Sequence, residues 1–574
     1  MSLPPVGGST AGRSAGSPTI RTHRGAHRAG GLERGLQGLG RRWLTTWPRQ
    51  AWDMPLALPS RRHTQVVLVI GTLVALLNLW IILQADLDWV WADGRARLTI
   101  ARSIIDNKQP GFTQFGNTWL PLHPAAMLPF IWIDWAYRSG AAGISISVIS
   151  LVGTFYYTHR FVYVLTRSGA AAWVSVIALA LSPNFMFMAG TPMSETPFAA
   201  LTMGAFFYLV AWAKEPAGNQ RALTMAGIFV GAGAMIRYEA WLFVPAGVVF
   251  MVLSRLDVST GTPSRDWQRR MEAELLAFVS LTVFPIFLFI VYNWLIFGQP
   301  NAFLANNETA VAEQSAGLNL GGNLENVTLN LLYTVFDNVG WLASFLTIAG
   351  LLVYGIVARR LIPFLALLLP ATSLAFFALS LYQGGSVLRH DSVYEGFGLL
   401  NARYGVIAVP FAAAVIGALA SFGRLPAILA IGLIVLQFGV FMTAPQPVIT
   451  VRDATQPGYR HFEATADLWN ELYDGGDVLL SLRDHAQMIP ATHLQLSDVM
   501  HEGVSQTTPN WEDALRDPAR YVRWIIIRTD GQGKLDELIS PILLERDFEE
   551  VGVVTLTGPT FTERIYKRKI DPLE

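Results

Sequence analysis

For most of its length the chain alternates long apolar runs with short polar connections. The first run, Val66 to Ala85, is about the 20 residues that cross a bilayer as a helix. Ten more centre on 142–165, 170–190, 197–213, 222–236, 240–254, 274–297, 340–358, 361–382, 404–422 and 425–444. The pattern predicts about eleven transmembrane helices. A shorter run, Leu122–Tyr137, carries Pro124, Pro129 and Asp134 and is bounded by His123 and Arg138. Charge decides how to read it. If it stays out of the membrane, Arg160, Arg167, Lys214, Arg221, Arg255, Arg265, Arg269, Arg270, Arg359, Arg360 and Arg424 share one side with Arg61 and Arg62. The positive-inside rule makes that side, and the N-terminus, cytoplasmic. Leu122–Tyr137 is therefore expected to be a juxtamembrane helix.

The opposite face then receives 86–141, the Gly190–Glu195 turn, Arg237–Glu239, 298–339 and 383–403. The stretch Ala85–Pro124 is the densest of these. Trp89, Trp91, Phe112, Phe115 and Trp119 are residues that favour a membrane–water interface. Among them lie Asp86, Asp88, Asp93, Arg95, Arg97 and Arg102. Leu98, Ala101 and Ile105 recur at three and four residues, which predicts a helix over Asp93–Asp106. It is expected to lie on the bilayer surface with its carboxylates outward.

Residues 1–62, rich in Gly, Ser, Arg and Pro, read as a disordered cytoplasmic tail. Residues 63–445 form the membrane part. From 446 the composition is that of a soluble domain. Strands are predicted at Asp477–Leu482, Tyr521–Ile527 and Val551–Leu556, and helices at Tyr459–Tyr473 and Gly533–Leu543. The expected architecture is an all-α polytopic membrane protein with a small extracytoplasmic α/β domain over 446–574. Composition agrees: 52% of the 574 residues are hydrophobic and 15% charged, against about a quarter charged in soluble proteins. The absence of cysteine excludes disulfides, zinc–thiolate sites and thiol nucleophiles.

Candidate chemistry gathers on the outer face. For Asp93 the plainer reading is a surface pair with Arg97 at (i, i+4), worth a few tenths of a kcal/mol. The alternative gains from Glu195 in GTPMSETP and from Arg237 and Glu239 in MIRYEAW, which lie at span ends on the same side. Arg389, His390, Asp391, Glu395, Asn401, Arg403 and Tyr404 precede another span. An arginine beside a tyrosine there suits a phosphate at headgroup level, through a bidentate guanidinium and a phenolic hydrogen bond. A snorkelling helix anchor fits Arg403 equally well.

Six segments occur in one order: ADGRARLTIARSIIDN, GNTWLPLHP, SPNFMFMAGTPMSETPFAAL, MIRYEAWLFVP, YNWLIFGQPNAF and NARYGVIAVPFAA. In this the chain resembles the GT-C superfamily of glycosyltransferases, in its protein-mannosyltransferase-like, aminoarabinose-transferase-like branch, over about residues 66–440. The likeness is greatest to bacterial and archaeal members with a WLPL-type loop.

The resemblance implies a cell-envelope enzyme that takes a sugar from a polyprenyl-phosphate donor and transfers it outside the cytoplasmic membrane, to a protein, lipid or glycan. It assigns Asp93 as the first-loop acid that acts as base or orients acceptor and Glu195 as the acid of the second outer loop; on chemistry alone, Glu195 and His123 stand in reserve as bases. Arg237 and Arg403, assisted by Tyr404, would hold the carrier phosphate. Trp119, Glu239 and Asn401 would line the acceptor pocket. Inverting transfer needs a base for the acceptor hydroxyl and positive charge for the leaving phosphate. A divalent cation could supply part of that charge, but no ligand cluster marks a metal site. The chain departs from the family pattern twice. Gly94 stands where a second acid follows the first, and His123 where Lys and Pro are common; both leave sugar and acceptor open. A lipid-linked saccharide transporter would instead show inverted repeats and broken midplane helices. A non-catalytic scaffold would leave the loop acids as surface charges.

Overall fold

The computed structural model describes residues 51–88, 90–117, 119–215, 219–258, 265–304, 321–358, 360–385, 389–390, 399–400, 402–444, 448–454, 461–502, 508–529, 534–555 and 562–569. Most of the N-terminal tail, with Trp89, Asp391, Glu395 and Asn401, lies outside them.

Among these residues nine helices are long and apolar enough to cross a membrane: Arg61–Gln84, Ala141–Thr166, Glu195–Lys214, Tyr238–Leu256, Arg265–Phe297, Trp341–Ala358, Leu361–Tyr382, Arg403–Ala420 and Arg424–Thr443. A tenth traverse is broken. Gly169–Ala180 and Pro183–Ala189 meet at 73°, because Pro183 starts a new helix where its missing N–H costs nothing. The expected eleventh span is the helix Gln220–Ala234, only 15 residues and about 22 Å long. It falls short of spanning alone, which corrects the count. It still brings the chain back, since it packs between Glu195–Lys214 and Arg265–Phe297 and returns Arg237 to within 2.8 Å of Glu195. Leu122–Ile131 is a 10-residue helix, too short to cross.

Two kinds of helix make the bundle. Arg265–Phe297 turns Leu276, Phe284, Phe287, Leu288, Trp294 and Leu295 outward, the all-round apolar pattern of a lipid-facing helix. Val409–Ala420 and Glu195–Lys214 are almost wholly buried. The first can be so because it is built of small residues: Gly417 lies against the Ala171 carbonyl, where a β-carbon would meet that oxygen at 2.8 Å.

Before the last spans, β1 Arg389–His390 pairs antiparallel with β2 Leu399–Leu400. The soluble part is a five-stranded sheet in the order β4-β3-β5-β7-β6: β3 Val478–Leu480, β4 Val499–Met500, β5 Trp524–Arg528, β6 Phe548–Thr555 and β7 Thr562–Arg568. β3 pairs parallel with β4 and β5, whereas β7 runs antiparallel to β5 and β6. Trp524 and Ile526 pack on one side with Phe462 and Trp469, while Ile525 and Ile527 pack on the other with Trp511 and Phe548. Burial on both faces explains the unbroken apolar run of β5. The helix expected over Gly533–Leu543 is two, Leu535–Leu538 and Pro541–Asp547, separated at Ser540.

The loop helix Ala92–Ser103 departs most from expectation. Ten of its twelve residues are buried, Arg95, Arg97 and Arg102 included. It does not lie with a polar face in water. The sheet domain covers it: Thr99 Oγ1 donates to the Ala486 carbonyl at 2.8 Å, Arg102 Nη2 reaches Gln495 at 3.2 Å, and the Arg95 guanidinium sits 4.0 Å over the Phe462 ring. Nearby, Lys108 bonds Asp477 at 2.9 Å, and Asp106 accepts from the Ser497 amide at 3.1 Å. Arg138 donates to the Thr492 carbonyl.

Candidate active site

Four segments far apart in sequence meet beside the loop helix. Asp93, in its first turn, pairs with Arg403, whose Nη2 donates to Oδ2. The plainer alternative, a surface pair with Arg97, gives way to this one, 310 residues away in sequence. The Arg403 guanidinium lies 5.0 Å over the Trp91 ring and 5.6 Å from that of Tyr404. It is 7% exposed against 29% for the Asp93 side chain, so the carboxylate can be reached from outside.

Arg237 is held more completely. Nε and Nη2 donate to Glu239 Oε1 at 2.9 and 2.7 Å, and Nη1 to Glu195 Oε1 at 2.8 Å and Ser194 Oγ at 3.3 Å. All three side chains are buried. The Tyr404 ring lies 4.8 Å from the same guanidinium, so Tyr404 adjoins both arginines. Glu195 starts its helix, where the macrodipole favours a carboxylate. Glu239 sits in the 3₁₀ turn Tyr238–Leu242. Glu239 thus braces Arg237, where the sequence placed it in an acceptor pocket.

Gly94 has a physical explanation. A β-carbon there would lie 2.8 Å from Pro192 of the Gly190–Glu195 turn, and one at Gly143 would meet the same proline at 2.5 Å. The turn carrying Glu195 is pressed against the loop helix carrying Asp93. A second acid after Asp93 does not fit this contact.

Two further residues converge on the site. Arg97, considered from sequence only as a partner for Asp93, lies with its guanidinium 4.5 Å over the Trp119 ring. His123 follows Leu122, whose amide donates to the Met235 carbonyl at 3.0 Å, two residues before Arg237. It is fully buried, with no hydrogen-bond partner for either ring nitrogen among the described residues. Sequence reasoning missed Ser194 and the contact between Trp91 and Arg403. For Arg97 the only signal in the sequence was its (i, i+4) spacing from Asp93.

The electrostatics follow. Burial works to raise the Asp93 pKa, but Arg403 and Arg97 outweigh it and hold the carboxyl below its ordinary range. Burial, reinforced by Arg97 and Arg237, pushes His123 well below the usual imidazole value and keeps it neutral. Among the described residues no group of three or more His, Asp and Glu side chains is placed to hold a metal ion.

Comparison with known proteins fits this architecture. Residues 137–290 match the family model described as dolichyl-phosphate-mannose-protein mannosyltransferase, a stretch that holds Glu195, Arg237 and Glu239. No curated protein matches the chain in sequence. The fold is similar to ArnT from Cupriavidus metallidurans, in crystal structures bound to undecaprenyl phosphate (13% identity, TM-score 0.52) and in the apo state (12%, 0.50). Both alignments cover 87% of this chain and 97% of ArnT. A cryo-EM structure of arabinofuranosyltransferase AftD from Mycobacteria aligns over 90% of this chain and 40% of its own, at 13% identity and TM-score 0.37, too distant to bear on the site. The chain is an integral multi-pass membrane protein that shares the fold of ArnT.

Proposed function

We propose that this protein transfers one sugar from a polyprenyl-phosphate-linked donor to an acceptor hydroxyl at the outer face of the cytoplasmic membrane. The observation that carries this is the union of Asp93 with Arg403, beside the Arg237–Glu195–Glu239 cluster. An ionised carboxylate open on one side adjoins guanidiniums that can stabilise a developing phosphate anion. ArnT, of similar fold, has been seen with undecaprenyl phosphate bound.

The step is an inverting displacement. The acceptor oxygen attacks the sugar's anomeric carbon as its proton passes to Asp93. The bond from that carbon to the phosphate oxygen breaks, and its electron pair leaves with the polyprenyl phosphate. Arg403 keeps Asp93 ionised and oriented, which lowers its basicity but ensures that it is unprotonated when acceptor arrives. Arginines around the phosphate oxygens contribute the electrostatic part of the barrier lowering. The one-sided distribution of Arg and Lys supports a cytoplasmic N-terminus and an extracytoplasmic sheet domain.

The test is Asp93→Asn, assayed for transfer from purified lipid-linked donor. Loss of a general base costs about 10²–10⁴-fold in rate, with donor binding kept. A normally active Asp93→Asn enzyme would falsify the base assignment. Reporter fusions after Arg167 and Ala444 should report opposite sides of the membrane; the same side for both would refute the proposed topology.

A further inference from the structure

The sheet domain holds a buried titratable pair that the proposed mechanism does not use. His485 ends the short helix Leu482–His485 after β3, and Glu563 stands on β7. Both side chains are 1% exposed, with His485 Nε2 4.0 Å from Glu563 Oε1. That is beyond hydrogen-bond reach, and Nε2 has no hydrogen-bond partner among the described residues. The other ring nitrogen explains the gap. Nδ1 lies 2.9 Å from the Ser481 carbonyl, which can only accept, so Nδ1 carries the proton of a neutral ring. Nε2 then turns a lone pair toward a carboxylate, and two acceptors stand apart. A proton on Nε2 makes it a charged donor, whose normal distance to a carboxylate oxygen is about 2.7–2.9 Å.

One residue links this pair to the loop helix. The carbonyl of Ala486, next after His485, accepts the buried Thr99 hydroxyl of Ala92–Ser103 at 2.8 Å. The start of the short helix is held separately. Glu502 accepts from Ser481 Oγ at 2.8 Å and from the Leu482 and Arg483 amides, each at 2.9 Å. The charged groups around the ring are Glu563 from β7, Arg528 from β5, Asp484 on the same helix and Glu502 beyond its start. Arg528 lies opposite Glu563 in the β5–β7 register and is acted on by the charges of both Asp484 and Glu563. His501, also buried in this domain, is pushed down to about 4 by burial and stays neutral near pH 7.

We infer that His485 and Glu563 form a proton-operated latch on the loop helix that carries Asp93. Proton uptake at Nε2 draws the ring onto the Glu563 carboxylate and ties the short helix to β7. That firms the Ala486 carbonyl on which Thr99 rests. Neither residue touches the reacting groups, so both are positioning residues. Histidine changes charge between about pH 5 and 8, so acid in the solution around the sheet domain should steady the loop helix. The consequence for transfer rests on the function proposed above.

The experiment uses the full-length protein in detergent micelles. Hydrogen exchange of peptides covering 92–103, corrected for intrinsic rates, is compared at about pH 5 and about pH 8. In wild type the lower pH should slow this exchange about 10-fold, the factor of one hydrogen bond to a charged group. His485→Gln and Glu563→Gln should each abolish the response, since neither glutamine titrates. If one variant does not fold, the other carries the test. Equal wild-type exchange at the two pH values would overturn the latch. So would a response that survives His485→Gln, which would point instead to the exposed His493. Transfer at saturating donor is the second reading: kcat should rise as pH falls through the same interval in wild type and stay flat in both variants. A flat wild-type rate beside a responding helix would overturn the positioning role. If exchange responds as expected and no polyprenyl-phosphate sugar is transferred at either pH, the latch stands and the proposed function fails.

Discussion

Arg237→Met should destabilise this protein more than any other single change at the site. The guanidinium is 8% exposed and the carboxylates of Glu195 and Glu239 are 1% and 7% exposed, so water screens none of them. Removing one partner of a buried pair costs about 3–5 kcal/mol, mostly the penalty of the charge left behind. Here one substitution strands two carboxylates: Glu239 loses bonds of 2.9 and 2.7 Å, and Glu195 one of 2.8 Å. The second oxygen of Glu195 is already buried without a partner among the described residues, so the loss should reach the top of that range, about 5 kcal/mol. Denaturant unfolding in mixed micelles measures it. Arg237→Met/Glu239→Gln serves as the internal check, because a neutral amide in place of one stranded carboxylate should restore a large part of the loss. An Arg237→Met protein within about 1 kcal/mol of wild type, the value expected of a solvent-screened pair, would show that the cluster is not a buried ion network.

Three further outcomes follow from the same contacts. Asp93 has a folded-state pKa below its unfolded value, so its contribution to stability is complete above the unfolded pKa and is lost as pH falls through the folded one. The acid limb of the transfer rate should therefore lie below the ordinary carboxylate range and move upward in Arg403→Gln; an unmoved limb would separate the limb from Asp93. Gly405→Ala should lower both stability and activity, since its methyl would overlap the Thr334 carbonyl and displace the turn that carries Arg403; unfolding and transfer assays with wild-type values would refute that. Phe462→Ala removes the ring under Arg95 and should reduce kcat more than donor affinity by loosening the loop helix, which kinetics at saturating donor would show.

How much of this was legible beforehand depends on the range over which each feature is determined. Apolar runs about 20 residues long announce membrane helices because the bilayer imposes length and composition locally. The same is true of β5, where WIIIR signals a strand covered on both faces. The traverse Gln220–Ala234 was overcounted as a full span, because an apolar run shows hydrophobicity but not where the helix stops. β7 was missed, since TERIYKR is polar on its open side and becomes a strand only by pairing with β5 and β6.

The site shows the same division. The sequence supplied Asp93, Glu195, Arg237, Glu239 and Arg403 as charged residues at span ends on one side, and the family resemblance supplied roles. It could not say who pairs with whom. Asp93 has Arg95 and Arg97 within four residues, yet bonds to Arg403 from the far end of the chain. The loop helix looked like a surface helix because its polar face was visible in the pattern and its cover was not; that cover is the sheet domain, nearly 400 residues later. Hydrophobic length is a property of consecutive residues and survives in sequence. Burial of a charge depends on what distant segments bring to it, and only the folded chain decides that.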